Sequence, residues 1–266
     1  MSINWFPGHM AKTLYAIQSL SNINLVIEIV DARAIRATTN QTLTKHFQQT
    51  KLIVALKSDL ADVTNIKLEE NMLIGSIKDK HLHKRVINKL NEIFEKKMDQ
   101  FKQKGLLNPT FYGVVVGLPN VGKSSFINLL NPPAKLLASN YPGTTKKKQL
   151  IRVNKNYFLY DTPGVLIKKN LNTENIYRLA LVGIIKKELL PMREVLMWGY
   201  EYLKKHYLNM LLKKYELTNA PDFNDFLKFI CRKYFFISSK NFLDENRGLN
   251  FLYNDWLNNL KINYEK

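Results

Sequence analysis

The sequence is poor in cysteine and in long apolar segments. Cys231 is the only cysteine among the 266 residues, so the chain can form neither an internal disulfide bond nor a cysteine metal cluster. No apolar run approaches the roughly 18 residues that a membrane-spanning helix needs, and the start of the chain has neither a signal-peptide nor a transit-peptide pattern. With 45% hydrophobic residues the chain can fill a core. We therefore expect a globular, monomeric protein of the cytoplasm that has no membrane partner.

Acidic residues are also scarce, because 22 Asp and Glu residues stand against 40 Lys and Arg residues and leave a net charge of +18. An excess of this size is typical of proteins that bind a polyanion such as nucleic acid. Residues 1–170 carry a net charge of +14, and residues 171–266 carry +4. We therefore predict a nucleic-acid-binding face that includes the first part of the chain. The alternative is a general bias toward lysine, with each side chain solvated on its own.

The most specific motif lies at residues 117–125, which read Gly-Leu-Pro-Asn-Val-Gly-Lys-Ser-Ser and match the phosphate-loop pattern G-x-x-x-x-G-K-[ST]. A strand-like apolar run precedes it and a helical run follows it, as the motif requires. Backbone N–H groups of such a loop surround a phosphate at the N-terminus of the next helix. The lysine reaches the β- and γ-phosphates, and the following hydroxyl binds Mg²⁺. We therefore predict a nucleoside triphosphate site that includes Asn120, Val121, Gly122, Lys123, Ser124 and Ser125.

Three further apolar runs precede this loop, at residues 25–30, 52–56 and 72–74. Their β-branched composition predicts buried strands, and helical patterns separate them. Two runs after the loop, at 149–153 and 157–160, predict a strand pair. Strands that alternate with helices predict an α/β fold with a mostly parallel sheet and helices on both faces. Ligands of such sheets bind at the carboxyl ends of the strands.

The pattern changes near residue 169, after which only helices are predicted. We therefore expect two domains, an α/β domain at residues 1–168 and a small all-α domain at residues 169–266. The predicted helices of the second domain span residues 176–185, 193–212, 223–234 and 246–260.

Polar motifs follow the predicted strands. Leu56-Lys57-Ser58-Asp59 ends the second strand, and Ser76-Ile77-Lys78 comes shortly after the third. Asp161-Thr162-Pro163-Gly164 ends the last strand. In a nucleotide site such an aspartate can hold Mg²⁺ through water, and the glycine N–H can contact the γ-phosphate. All of these motifs are therefore expected at one edge of the sheet.

His9 follows an aromatic pair and a Pro-Gly turn, at or near the start of a helical pattern. The dipole at a helix N-terminus favours the neutral imidazole, which can hydrogen-bond or polarise a water molecule. The alternative is that His9 only closes the turn.

The order of the motifs is unusual. In an ordinary GTPase the phosphate loop comes first and the guanine-reading motifs NKxD and SAK come last, whereas here residues 56–59 and 76–78 precede the loop. The chain therefore looks like a circularly permuted P-loop GTPase domain, which is possible because a buried sheet depends on strand neighbours more than on connection order. The resemblance is to the circularly permuted ribosome-assembly GTPases, and it covers essentially the whole chain. Its motifs are Trp5-Phe6-Pro7-Gly8-His9-Met10-Ala11-Lys12, Asp31-Ala32-Arg33 and Pro142-Gly143-Thr144-Thr145.

This resemblance implies a GTPase that binds GTP, GDP and Mg²⁺ and attaches to precursor large ribosomal subunits and their rRNA. Such a protein promotes a late assembly step and leaves after GTP hydrolysis, and its helical domain contacts RNA. Lys123 and Ser124 would hold phosphate and Mg²⁺, and Thr145 would be the switch threonine beside the metal. Asp161 and Gly164 would respond to the γ-phosphate.

The resemblance also suggests roles for other residues. Asp59 would accept hydrogen bonds from the guanine N1–H and 2-amino groups, and the backbone near Ser76 would meet guanine O6. The family has a hydrophobic residue, here Val165, where other GTPases have a water-orienting glutamine, so His9 would assist the attacking water. Asn120 matches an asparagine that helps bind K⁺ in some related GTPases. Hydrolysis is expected to be slow unless the ribosome stimulates it.

Three stretches depart from the family pattern. Leu56 stands where NKxD has asparagine, and the loss of one buried hydrogen bond would weaken nucleotide binding by about three- to twelvefold, with guanine preference retained through Asp59. Residues 34–41 lack the family's prolines, and residues 234–241 lack its glycines. Two alternatives to a ribosome-assembly GTPase remain: a P-loop ATPase that acts on RNA, and an RNA-binding scaffold that nucleotide orders without turnover.

Overall fold

The computed structural model describes residues 20, 22–40, 49–103, 105, 109–131, 149–162, 164, 171–238 and 242–266. The chain divides into two compact units, Met1–Asn170 and Leu171–Lys266. None of the helices in the described ranges combines the length and the apolar character that crossing a membrane requires.

The first unit is built on a six-stranded sheet. Its spatial order is β3-β2-β1-β4-β6-β5, and every neighbouring pair is parallel except β5 and β6. The predicted strands are all present, and each observed strand end lies within two residues of the predicted one. The strands are β1 (Leu25–Asp31), β2 (Thr50–Leu56), β3 (Met72–Ile74), β4 (Phe111–Gly117), β5 (Gln149–Arg152) and β6 (Tyr157–Asp161).

Helices cover both faces of the sheet, as predicted. On one face, Phe94 of helix α2 (Leu82–Gln103) packs edge-on against Phe111 and Tyr157, with ring centroids 5.2 Å apart in both pairs. The short helix α1 (Ile35–Thr38) lies on the opposite face, where Ile35 packs against a cluster that includes Val30 of β1. Strand β1 is therefore buried on both faces, which explains its unbroken apolar and β-branched sequence.

The sheet places the polar motifs at one edge, because β1, β2, β3, β4 and β6 are parallel and end on the same side. Strand β1 lies at the centre, between β2 and β4. The base-reading motifs follow β2 and β3 on one side of it. The phosphate loop and the Asp161 motif follow β4 and β6 on the other side. Helix α3 (Lys123–Leu130) begins directly in the phosphate loop.

The second unit contains five α-helices in the described ranges: α4 (Thr173–Leu181), α5 (Met192–His206), α6 (Leu208–Tyr215), α7 (Phe223–Lys233) and α8 (Glu245–Asn259). Side chains cap three of them at their N-termini. Asn172 accepts a hydrogen bond from the N–H of Asn175, Asp222 accepts two from the first turn of α7, and Asp244 accepts one from Arg247.

The single helix predicted at residues 193–212 is wrong, because Tyr207 separates α5 from α6. Tyr207 has φ −141° and ψ 35°, which lie outside the helical region. Its hydroxyl accepts a hydrogen bond from the N–H of Asn263 at 2.9 Å, and its ring lies 4.7 Å from the Nζ of Lys266. The C-terminal segment therefore contacts the side chain of Tyr207 at the point where the two helices separate. Apolar periodicity runs through this residue unbroken, so the sequence gives no sign of the break.

A buried polar network lies in the core of the second unit. The Tyr215 hydroxyl donates to Asp255 Oδ2 at 2.6 Å and accepts from Trp256 Nε1 at 2.8 Å. Burial, and then the Asp255 carboxylate, raise the pKa of Tyr215 above its usual range, so the hydroxyl stays protonated and remains a donor.

Replacing Tyr215 with phenylalanine should therefore leave the Trp256 N–H without its partner in the core. We expect the free energy of unfolding to fall by about 1–3 kcal/mol in urea titrations. Tyr177→Phe is the control, because the Tyr177 hydroxyl bonds Glu194 at the exposed surface at 3.1 Å, and it should have an effect below about 0.5 kcal/mol. Equal effects of the two substitutions would contradict a structural role for the buried network.

Candidate nucleotide-binding site

The phosphate loop has the backbone that its glycines allow. Gly117 and Gly122 have φ of +154° and +107°, in the region that glycine favours. A Cβ at Gly117 would lie 2.5 Å from the carbonyl oxygen of Ile29, so no other residue fits there. Gly122 has no side chain to cap helix α3, and the first backbone N–H groups of a helix have no partner within it. These N–H groups and the helix dipole form a site for phosphate.

Lys123 and Asp161 form a buried pair of opposite charges beside this loop. The Lys123 Nζ donates to the carbonyl oxygen of Leu118 at 2.8 Å. Burial lowers the pKa of Lys123 to about 8, and the charge of Asp161 opposes that change. Burial also raises the pKa of Asp161 to about 6, against the attraction of Lys123. Both charges are therefore held out of water, in a place where a charged ligand would interact with them strongly.

The Asp161 carboxylate fits a metal ion. Both of its oxygens are buried, and neither has a hydrogen-bond partner in the part of the chain that the structure describes. A buried carboxylate without hydrogen bonds is costly unless it is protonated or meets a cation. Hydrated Mg²⁺ takes oxygen ligands of this kind, together with the phosphates of a nucleotide. Ser124, in the first turn of α3, is the second predicted ligand.

The segment after β6 lies against the phosphate loop. A Cβ at Gly164 would come within 2.9 Å of the Pro119 Cα and 3.0 Å of the Lys123 Nζ. The Thr162 hydroxyl donates to the carbonyl oxygen of Val115 in β4 at 2.7 Å and so fixes this segment at the end of the sheet. The structure therefore brings Gly164 to the phosphate end of the site, where the sequence predicted it.

Lys57 connects the phosphate loop to the end of β1. Its Nζ donates to the carbonyl oxygen of Asn120 at 3.0 Å and forms an ion pair with Asp31 Oδ2 at 2.9 Å. Asp31 is fully buried and also accepts hydrogen bonds from Arg33 Nε at 2.9 Å and Arg33 Nη2 at 2.8 Å. Burial raises the pKa of Asp31, but Lys57 and then Arg33 outweigh it and hold the pKa below its usual range.

Sequence reasoning did not assign this role to Asp31 and Arg33. The available signal was their position, since an Asp-Ala-Arg turn at the end of a central strand lies at the ligand edge of a parallel sheet. The connection from Asp31 to the phosphate loop depends on a lysine 26 positions further along the chain, and local pattern does not reveal it.

We expect Lys57→Met to lower the free energy of unfolding by about 1–3 kcal/mol, because it leaves the Asp31 carboxylate and the Asn120 carbonyl with fewer partners. Lys78→Met is the matched control, since Lys78 also pairs with an aspartate, Asp59, at 2.7 Å, but at the exposed surface. Its effect should stay within about 1 kcal/mol. Chemical denaturation of both variants without nucleotide measures the difference, and similar values would argue against the buried ion pair as the cause.

The two motifs that are predicted to read the base meet at the other end of the site. Asp59 Oδ2 forms an ion pair with Lys78 Nζ, and Ser76 contributes a side-chain hydrogen bond to the same carboxylate. Burial raises the pKa of Asp59, but the hydrogen bonds from Lys78 and Ser76 outweigh it and lower the pKa. The Ser58 N–H donates to the carbonyl oxygen of Gly75 at 3.2 Å, which joins the two loops. Asp59 therefore stays ionised and can accept hydrogen bonds from a base.

Leu56 makes an apolar contact with the phosphate loop. It is buried at the end of β2, and its Cδ1 lies 3.0 Å from the position that a Cβ on Gly122 would take. An asparagine amide could donate a hydrogen bond here, whereas leucine can only pack. The polar link between the base-reading loop and the phosphate loop comes from the next residue, Lys57.

The remaining predicted site residues divide into two groups. Val121 is buried under the loop, and Ser125 lies in the first turn of α3. His9 and Thr145 lie outside the described residues.

A mostly parallel sheet with a phosphate loop after β4, an aspartate motif after β6 and the motifs predicted to read the base after β2 and β3 defines a class of protein. The chain is a circularly permuted P-loop GTPase. The family model described as 50S ribosome-binding GTPase matches residues 113–213. A structure of GNP-bound YlqF from T. maritima has the same fold, with a TM-score of 0.66 at 20% identity, covering 92% of this chain and 93% of that one.

Similar sequences identify the family. A probable ribosome biogenesis GTPase A of Mycoplasma genitalium is 39% identical over 268 residues, which cover 99% of this chain and 96% of that protein. The ribosome biogenesis GTPase A of Bacillus pumilus is 33% identical over 233 residues, covering 84% and 82%. The chain therefore belongs to the ribosome biogenesis GTPase A family, as the resemblance predicted.

Proposed function

We propose that this ribosome-assembly GTPase binds precursor large ribosomal subunits in its GTP-bound state, promotes a late step of their assembly and leaves after hydrolysis. The observation that carries the nucleotide part of the proposal is the buried pair of Lys123 and Asp161 beside the phosphate loop, with the carboxylate not hydrogen-bonded by the described residues. The names of the relatives support the ribosomal part. A protein that only needed to fold would not gain from two charges buried in this way. The phosphates of a nucleoside triphosphate would pair with Lys123, and its metal ion would pair with Asp161.

The chemistry follows from the residues present. Lys123 would exchange the Leu118 carbonyl oxygen for the β- and γ-phosphate oxygens and stabilise the negative charge that moves during hydrolysis. Asp161 and Ser124 would hold Mg²⁺, whose charge neutralises the phosphates when it is bound. Gly164 lies against Lys123 and can sense the γ-phosphate through its backbone N–H.

Several parts of the proposal depend on the sequence alone. His9 would assist the attacking water, Thr145 would complete the metal site, and Asn120 would allow stimulation by K⁺. Residues 169–266 would form the RNA-binding domain of a monomeric protein. Turnover of the free protein would be slow, and the ribosomal particle would raise it.

Co-sedimentation with purified precursor large subunits tests the proposal. The protein loaded with a non-hydrolysable GTP analogue should sediment with these particles, and the GDP-loaded protein should remain in the supernatant. Small subunits serve as the control particle. The same precursor particles should raise the rate of GTP hydrolysis. The proposal fails if the GTP-loaded protein neither binds the precursors nor responds to them.

Leu56 favours one alternative, a P-loop ATPase that acts on RNA, because it replaces the asparagine amide that would support guanine binding. Parallel calorimetric titrations with GTP and ATP decide between the two. We expect tighter binding of GTP, owing to the Asp59 carboxylate, and equal affinities would favour the ATPase.

A further inference from the structure

All three exposed aromatic side chains of the described residues lie in one short stretch, between helices α7 and α8. Phe235 is 79% exposed, Phe242 is 71% exposed, and Tyr234 is also exposed. Ile237 adds a fourth exposed apolar side chain. We call these four residues the aromatic patch. Scattered exposed apolar residues are normal, but a group of this kind usually marks an interaction site.

Hydrogen bonds fix the backbone of the described residues in this stretch. The Phe236 N–H donates to the carbonyl oxygen of Cys231, at the end of α7, at 2.8 Å. The Ser238 N–H donates to Phe242, and the Asp244 N–H donates to Phe236, each at 2.8 Å. The two sides of the stretch are therefore paired as antiparallel backbone. The exposure of the patch is a property of this fixed geometry.

Not every aromatic ring of this stretch is exposed, because some of its rings pack against helix α8. Phe236 packs against Phe251 of α8, with ring centroids 5.6 Å apart. Within the patch, Tyr234 is the least exposed ring and also contacts Phe251, at 4.3 Å, so Phe235 and Phe242 are the rings that remain open to solvent. Phe235 has a φ of +53°, an uncommon conformation for a bulky residue. The chain thus adopts an unfavourable backbone conformation at a residue whose ring remains in solvent.

The charged residues around the patch carry one net positive charge, because four basic groups stand against three acidic ones. Each nearby acid has a partner: Glu216 pairs with Lys233, Glu245 pairs with Arg193, and Asp244 caps α8. Two arginines near the patch have no carboxylate partner among the described residues. Arg232 is exposed at the end of α7, and the exposed Arg247 lies with its guanidinium 5.0 Å from the Phe236 ring centre.

We propose that the aromatic patch is a stacking platform for unpaired bases of RNA, with Arg232 and Arg247 contacting the adjacent phosphates. The inference rests on the proposed function, because it names the chemistry by which the helical domain would bind rRNA. Flat aromatic rings stack on any base, and nearby cations follow the backbone of a single strand. The two arginines without a carboxylate partner in the described part of the chain favour a polyanion over an apolar protein surface as the occupant, because each can pair with a phosphate.

The test uses the full-length protein and two fluorescent RNAs, a single-stranded uridine dodecamer and a blunt duplex of the same length. We expect the Phe235→Ala, Phe242→Ala double variant to bind the single strand at least about tenfold more weakly, because each lost stacking contact weakens binding several-fold or more. Affinity for the duplex, which offers no unpaired bases, should change by less than about twofold. Fluorescence anisotropy at fixed salt measures both affinities.

Three further variants separate base stacking from apolar docking and from a loss of folding. The Phe235→Tyr, Phe242→Tyr variant keeps two flat rings and should bind like wild type. The Phe235→Leu, Phe242→Leu variant keeps apolar surface without rings and should behave like the alanine variant. Leu189→Ala removes another exposed apolar side chain of the same unit and should have no effect. Because both phenylalanines are exposed, thermal unfolding should be unchanged in every variant.

The inference is overturned if the alanine variant binds the single strand normally, if wild type does not bind it, or if the leucine variant retains full binding. The last result would indicate apolar docking to a protein. Co-sedimentation with precursor subunits and GTP turnover are measured on the same preparations. If wild type passes both of those assays while its patch variants bind single-stranded RNA normally, only the stacking platform fails and the proposed function stands.

Discussion

Replacing Lys123 with alanine is expected to reduce the rate of GTP hydrolysis by about 10²–10³-fold, which is the usual loss when one preorganised group that stabilises transition-state charge is removed. Lys123 is the buried cation of the phosphate loop, and its present partners are a backbone carbonyl and the charge of Asp161. Its loss would also raise the pKa of Asp161 further, because the attraction that opposes the effect of burial disappears. Single-turnover hydrolysis with saturating nucleotide measures the effect.

Lys97→Ala is the matched control for this substitution. Lys97 is a half-buried lysine whose pKa is likewise lowered by burial, and its Nζ donates to the carbonyl oxygen of Asn24 at 2.6 Å. Asn24 precedes β1, so Lys97 lies at the end of the sheet opposite the phosphate loop. The control should hydrolyse GTP at the wild-type rate. A Lys123→Ala variant with near-normal turnover would exclude the phosphate loop as the catalytic site, and a wild type without turnover would favour the scaffold alternative.

Asp59→Asn should weaken GTP binding by about 10²-fold or more, because two hydrogen bonds from guanine to a charged carboxylate contribute about 1.5–3 kcal/mol each. The same substitution should improve binding of xanthosine triphosphate. Xanthine has a carbonyl oxygen where guanine has its 2-amino group, and the introduced amide can donate to that oxygen. Calorimetric titration of both nucleotides against both proteins measures this change in specificity.

Asp79→Asn is the control for base recognition. Asp79 is an exposed aspartate in the same loop region, paired with Arg85 at 2.9 Å, and it should affect neither nucleotide. ATP affinity provides a second check, because adenine cannot donate the same pair of hydrogen bonds and should be insensitive to the substitution at Asp59. If Asp59→Asn binds GTP as tightly as wild type, guanine is recognised elsewhere.

The sheet could be predicted because its signal is local. Strands β1 and β4 are buried on both faces, and a strand in that position reads as an unbroken β-branched run whatever lies beside it. The phosphate loop is equally local, since its glycines are required by the backbone itself. From these two signals the edge of the sheet where the site lies follows directly.

Other features depend on residues that are distant in sequence. At the break between α5 and α6 the Tyr207 hydroxyl accepts a hydrogen bond from Asn263, 56 positions later, and the helical periodicity at Tyr207 reveals neither the contact nor the break. The ion pair of Lys57 with Asp31 likewise appears only when β1 and β2 are side by side. The packing of Leu56 against Gly122 could not be predicted either. The sequence shows only that leucine replaces the asparagine of NKxD and that its amide is therefore missing.

The position of Lys57 has a thermodynamic consequence. Lys57 extends from the loop predicted to read the base, and its ammonium group contacts the phosphate loop and the end of β1. We therefore expect the binding of the two ends of a nucleotide to be coupled. Guanosine and inorganic triphosphate should each increase the affinity for the other by the same factor, since such coupling is reciprocal. In the Lys57→Met variant, the affinity for each fragment should be the same whether or not the other fragment is bound. In the wild-type protein, this cooperativity between the two halves of GTP would compensate in part for the amide that Leu56 does not supply.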